Sequence, residues 1–176
     1  TGKLGKLVKY LSDFNYLSVR EEHSKKLILE DADKYNINLN KISIVIDHTL
    51  LLRAEDYQKI PPSDRKFPKK YIALYSLDYG SSIIPTARAL SKKYNMPIVT
   101  MYTSRNSRKV ALYNLGKLIT IYDGSPQDFL KMISNASYVV TDSFHGTAFS
   151  LIYNKEFIVT VEPEFNSSEI MHDSRI

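Results

Sequence analysis

Short β-branched runs alternate with amphipathic stretches along almost the whole chain, and that rhythm leaves few folds open. Residues 16–20 (Tyr-Leu-Ser-Val-Arg) read as a short buried strand. A helix follows from Glu21 to about Tyr35, with Leu27, Ile28 and Ala32 at helical spacing and acidic residues at its positive end. Residues 42–46 form the next β-branched run. After an interruption the pattern resumes: 71–77, 97–102, 118–122, 138–141 and 157–161 have strand character. Between them lie a helix over 82–94, with Pro85 in its first turn and Ile84, Ala87, Ala89 and Leu90 facing inward, and one capped by Ser125 with Pro126 first and Asp128 third. A short helix over 146–153 completes the set. Strands alternating with helices imply an α/β fold, a Rossmann-like parallel sheet with helices on both faces.

The interruption, residues 53–70, contains Pro61, Pro62 and Pro68 among many charges and has no sustained periodicity. It divides the chain into residues 1–52, the end of one Rossmann-like domain, a linker over 53–65, and a second such domain over 66–176. The chain opens on Thr1 without a signal-peptide pattern and stops at Ile176 without a closing helix, so the expectation is a piece of a longer protein. With no cysteine there is no disulfide, no thiolate chemistry and no Cys-ligated metal. No apolar run approaches the ~20 residues that span a bilayer. The net charge is +5, with lysines clustered at Lys3, Lys6 and Lys9, at Lys66, Lys69 and Lys70, and at Lys92 and Lys93. Such clusters are either solvated surface or a field for an anionic partner. Nucleic acid is the weaker partner class, since zinc-finger spacing and an RNP-like aromatic motif are both missing.

In an open parallel sheet, ligands bind beyond the carboxyl ends of the strands, where strand order reverses. The stretch Asp142-Ser143-Phe144-His145-Gly146-Thr147 follows one strand and opens a helix. Free N–H groups at a helix start bind phosphate or carboxylate. Gly146 lets backbone approach a ligand closely. An imidazole such as that of His145 moves protons near neutral pH. The competing reading is that Asp142 or Ser143 merely caps the helix while His145 packs, and the residues alone leave both open. His23, His48 and His172 lack metal-ligand spacing, and neither GxGxxG nor GxxxxGK[ST] occurs.

The stretch Tyr138-Val-Val-Thr-Asp-Ser-Phe-His-Gly-Thr-Ala-Phe-Ser-Leu-Ile-Tyr-Asn-Lys-Glu-Phe157 resembles the signature of the polysaccharide pyruvyl transferase family. Leu17-Ser-Val-Arg-Glu21 is similar to that family's SVRE segment, and Val45-Ile-Asp-His-Thr-Leu-Leu-Leu52 to its DPTLLL segment, with His48 where proline is usual. The resemblance implies a GT-B-like architecture and transfer of a pyruvyl group from phosphoenolpyruvate to two hydroxyls of a bacterial surface-polysaccharide sugar, forming a cyclic ketal. It implies no cofactor beyond that donor, and an acceptor often still lipid-linked at the cytoplasmic face of the membrane. On this reading His145 transfers the proton. Ser143, Phe144, Gly146 and Thr147 form the substrate-binding corner, with the Gly146 and Thr147 N–H groups on the donor anion. Arg20 is either a cation facing the cleft or the partner of Glu21. Some members carry Arg-Leu-His, and here Ser143 stands at the position of that arginine; a hydroxyl does not supply its charge. Either Arg20, Arg105 or Lys117 compensates, or the donor differs. Two other functions fit the same pattern, a GT-B glycosyltransferase using a nucleotide sugar and a non-catalytic glycan-binding module.

Overall fold

A computed structural model describes residues 10–11, 13–35, 42–77, 82–101 and 117–161, and the fold is given for these. They divide into two compact units between Leu51 and Leu52. The first is a β-α-β unit: β1 (Leu17–Val19), α1 (Glu22–Tyr35) and β2 (Ile42–Ile44). β1 and β2 pair in parallel with Leu17 opposite Ile42, and Ala32 and Ile42 are buried.

The second unit contains α2 (Ala54–Tyr57), β3 (Ile72–Tyr75), α3 (Ile83–Tyr94), β4 (Ile98–Met101), β5 (Leu118–Ile121), α4 (Pro126–Ser134), β6 (Tyr138–Thr141), α5 (Phe144–Ile152) and β7 (Phe157–Val159). The five strands lie in the order β5-β4-β3-β6-β7, every pairing parallel. Side chains alternate across β3. Ile72 and Leu74 meet Ile83, Ile84 and Ala87 of α3 on one face. Tyr71 and Ala73 meet Met132 and Ile133 of α4 and Phe149 of α5 on the other. Each fully buried Ile or Leu of these layers contributes about 1.5–3 kcal/mol. Ala89, expected to face inward, is exposed: it lies about 200° around the helix from Ala87, off the buried stripe. The last helix begins at Phe144, two residues earlier than the sequence pattern suggests.

The proline-rich stretch after Leu51 packs on the second unit. Tyr57 sets its ring edge-on to Phe149 with centroids 4.9 Å apart. Further along, Ser63 Oγ donates to Asp128 Oδ1 (2.5 Å), Arg65 Nε to the same oxygen (3.1 Å), and Arg65 Nη2 to Asp123 (2.8 Å). Lys131 Nζ donates to the Ser63 carbonyl (2.6 Å). These polar contacts to α4 have no period, which is why the stretch looks structureless in sequence. Asp128 is also the acid of the capping box expected at Ser125: Ser125 N–H donates to it (2.9 Å), and Asp128 N–H donates to Ser125 Oγ (3.1 Å). Burial pushes the Asp128 carboxyl up, but the Ser125 N–H, the Ser63 hydroxyl and the Arg65 guanidinium outweigh it and hold the group well below the usual carboxylate range. Asp128→Ala is expected to cost about 3 kcal/mol in a urea titration, since it removes a cap and leaves Arg65 and Ser63 without their acceptor. A loss under ~1 kcal/mol contradicts this role.

Candidate active site

Strand order reverses between β3 and β6, and the chain builds a polar corner at their carboxyl ends. Thr141, last in β6, donates through Oγ1 to the Tyr75 carbonyl of β3 (2.7 Å) and accepts from Ser143 N–H (3.1 Å). Asp142 reaches across the reversal, accepting from Ser76 Oγ (2.5 Å) and Leu77 N–H (3.1 Å). It therefore ties the loop after β3 to the loop after β6 instead of capping α5. The cap is Ser143, which is buried, with Oγ accepting from Gly146 N–H at 3.5 Å. Beside it, following β7, Thr160 buries a hydroxyl with no hydrogen-bond partner among the described residues.

Gly146 has a packing role that its position alone did not announce. A Cβ there would lie 2.1 Å from Thr141 Oγ1 and 2.9 Å from Thr141 Cβ. The missing side chain admits the strand end, so α5 starts pressed against β6. The N–H groups expected to hold the donor are likewise engaged within the helix start. Gly146 N–H meets the Ser143 hydroxyl, and Thr147 N–H donates to the Ser143 carbonyl (3.0 Å), as does Thr147 Oγ1 (3.1 Å). Phe144 is half-buried, its ring edge-on to the imidazole of His145. His145 itself is exposed in the first turn, where a backbone N–H has no acceptor within the helix. The corner thus presents a solvent-facing imidazole and the positive end of a nine-residue helix on a rigid strand end.

Arg20 lies in the first unit, just past β1. It pairs with Asp47, just past β2. Asp47 is buried and also accepts from Thr49 N–H (2.9 Å) and Thr49 Oγ1 (2.7 Å). The SVRE-like and DHTLLL-like segments therefore converge on one carboxylate at the carboxyl edge of the small sheet. Burial raises the Asp47 carboxyl, but the Thr49 and Arg20 hydrogen bonds outweigh it and hold it well below its ordinary value of 3.8. Groups depressed in this way stabilise the fold above the unfolded value and lose that contribution as pH falls through the folded one. Both Asp47 and Asp128 behave so, and the melting temperature is expected to hold from about pH 7 to 5 and to drop steeply below about pH 4. A flat profile down to about pH 3 contradicts the assignment.

Of the other cations considered as replacements for the missing arginine, Lys117 immediately precedes β5, and its carbonyl accepts from Ile98 N–H (3.0 Å). That is the amino-terminal edge of the sheet, opposite the corner, so Lys117 does not compensate. Arg105 lies outside the described residues. Among the described residues, no cluster of His, Asp or Glu could hold a metal ion, and no helix is long and apolar enough to cross a membrane.

The reversal of strand order and the loop-to-helix corner define a Rossmann-like α/β protein. Solved structures share this fold. UDP-N-acetylglucosamine 2-epimerase from Rickettsia bellii superposes with a TM-score of 0.59 at 19% identity, covering 86% of this chain and 43% of its own. The UDP-GlcNAc 2-epimerase of Neisseria meningitidis bound to UDP-GlcNAc gives 0.52 at 18% identity, covering 88% and 46%. That of Methanocaldococcus jannaschii with UDP-GlcNAc and UDP gives 0.52 at 15%, covering 82% and 44%. The chain thus spans less than half the length of these proteins, and at such identity the likeness is one of fold. Comparison with curated proteins gives no match. The family model for polysaccharide pyruvyl transferase matches residues 2–161, and the chain belongs to that family of transferases.

Proposed function

We propose that the protein transfers a pyruvyl group from phosphoenolpyruvate to two hydroxyls of a sugar in a bacterial surface polysaccharide, forming a cyclic ketal and releasing phosphate. The acceptor is a repeat unit carried on lipid at the cytoplasmic face of the membrane. The observation that carries this reading is the exposed imidazole of His145 on the first turn of α5, at the strand-order reversal. The reaction needs a proton carrier at that position. C3 of the enolpyruvyl group gains a proton and C2 becomes oxocarbenium-like. One sugar hydroxyl attacks C2 and loses its proton; the second hydroxyl then displaces phosphate. Of the two hydroxyl protons, one is balanced by the proton on C3 and the other leaves with phosphate. His145 delivers the first proton and receives the one released by attack. The positive end of α5 faces the donor's anionic groups. Arg20, paired with Asp47, is assigned a substrate-binding role of its own.

The test is an assay of the full-length enzyme with phosphoenolpyruvate and a lipid-linked saccharide. Phosphate release that requires the acceptor, with a product heavier by pyruvic acid less one water, supports the reading. Turnover of a uridine or guanosine diphosphate sugar, with none of phosphoenolpyruvate, contradicts it.

A further inference from the structure

We propose that the amino-terminal edge of the five-stranded sheet is a docking face for an anionic phospholipid surface. An all-parallel sheet places the starts of its strands and the ends of its helices along one edge, and here that edge carries eight lysines. Lys66, Lys69 and Lys70 precede β3, Lys117 precedes β5 and Lys155 precedes β7. Lys92 and Lys93 close α3, and Lys131 lies in the last turn of α4. All but Lys131 and Lys155 are exposed. Among the described residues flanking these strand starts and helix ends, Glu156 is the one acid. A groove of about 670 Å³ between Lys66, Lys69, Lys131 and Lys155 has no acidic side chain in its lining.

Attraction to helix dipoles accounts for Lys92, Lys93 and Lys131, which stand at helix carboxyl ends. It does not account for the five lysines that precede strands. Residue type and arrangement favour a lipid surface over a duplex. Arg65 also lines the groove but is bonded to Asp123 and Asp128. The other cations of the edge are lysines, diffuse point charges suited to a charged plane, whereas arginine is the residue that grips individual phosphates in a fork. They border a sheet edge. Tyr94 stacks on Tyr138 there (centroids 4.7 Å apart) with Lys93 Nζ 5.0 Å from its ring, placing an amphipathic ring among the cations, as at a lipid–water boundary. Docking by this edge turns the His145 corner away from the bilayer, toward a sugar at the far end of a lipid-carried oligosaccharide. That purpose rests on the pyruvyl-transfer reading, but lipid binding is measured without substrate, so either fails on its own.

The test is co-sedimentation of the full-length protein with vesicles of phosphatidylglycerol and phosphatidylcholine, and with phosphatidylcholine alone. Binding to the anionic vesicles only, weakening at least about tenfold from roughly 0.05 to 0.3 M salt, is expected. The quadruple variant Lys69→Glu, Lys70→Glu, Lys92→Glu, Lys93→Glu is expected to bind about 100-fold more weakly or worse, at roughly tenfold or less per charge. An unchanged melting temperature for it assigns the loss to the surface. No binding to anionic vesicles, equal binding by the variant, or binding to duplex DNA in place of vesicles overturns the proposal.

Discussion

Replacing His145 with alanine is expected to lower kcat of the full-length enzyme about 10²–10⁴-fold, the range for losing a positioned general acid–base group. The magnitude follows from what the side chain does not do in the fold. It is exposed, and among the described residues its one aromatic contact is with neighbouring Phe144. Its removal is therefore expected to change stability by no more than about 0.5 kcal/mol. That separates it from Ser143, Thr141 and Asp142, whose substitution disturbs the corner itself. Steady-state kinetics with a thermal melt as control reads both quantities. A variant with an unchanged melting temperature and near wild-type kcat removes His145 from the chemistry. A variant with raised KM alone makes it a binding group.

The second large effect belongs to Gly146. A methyl group at this position enters the space of the Thr141 side chain, and neither partner has room to give: one is in a helix start, the other ends a central strand. Gly146→Ala is expected to destabilise by about 3 kcal/mol, as overpacking of a tight contact does. It also shifts the first turn of α5, so activity falls even at temperatures where the variant is folded. The double substitution with Thr141→Ala separates packing from any other role for the glycine. Removing Oγ1 and Cγ2 opens space, and the pair is expected to be at least about 1 kcal/mol more stable than the sum of the singles. Additive losses, or a Gly146→Ala variant as stable as wild type, contradict the close approach.

The features legible in the sequence were those fixed by neighbours along the chain. Ser125, Pro126 and Asp128 announce a helix start because a capping box spans only four residues. For the next helix the sequence leaves Asp142 and Ser143 both open as the cap, and Ser143 is the one that caps it. Strand–helix alternation gives the parallel sheet, since crossovers require it. What escaped depends on pairs distant in sequence. Asp142 meets Ser76 across 66 positions, Asp128 meets Ser63 across 65, and Arg20 meets Asp47 across 27, a pairing that local reading does not offer. Gly146 was marked by its type, but its packing against Thr141 was not legible, because that contact depends on how the helix start folds back on the preceding strand. The place of Lys117 follows from strand direction alone: a residue just before a parallel strand stands at the edge away from the ligand.

The central claim is that an enolpyruvyl phosphate sits at the corner between the ends of β3 and β6, against the first turn of α5. A crystal structure of the full-length protein soaked with phosphoenolpyruvate tests it most directly. The account predicts the ligand there, with the His145 imidazole within about 4 Å of C3, since proton transfer needs near hydrogen-bond reach. Density for the ligand elsewhere, or an imidazole turned away from C3, contradicts it.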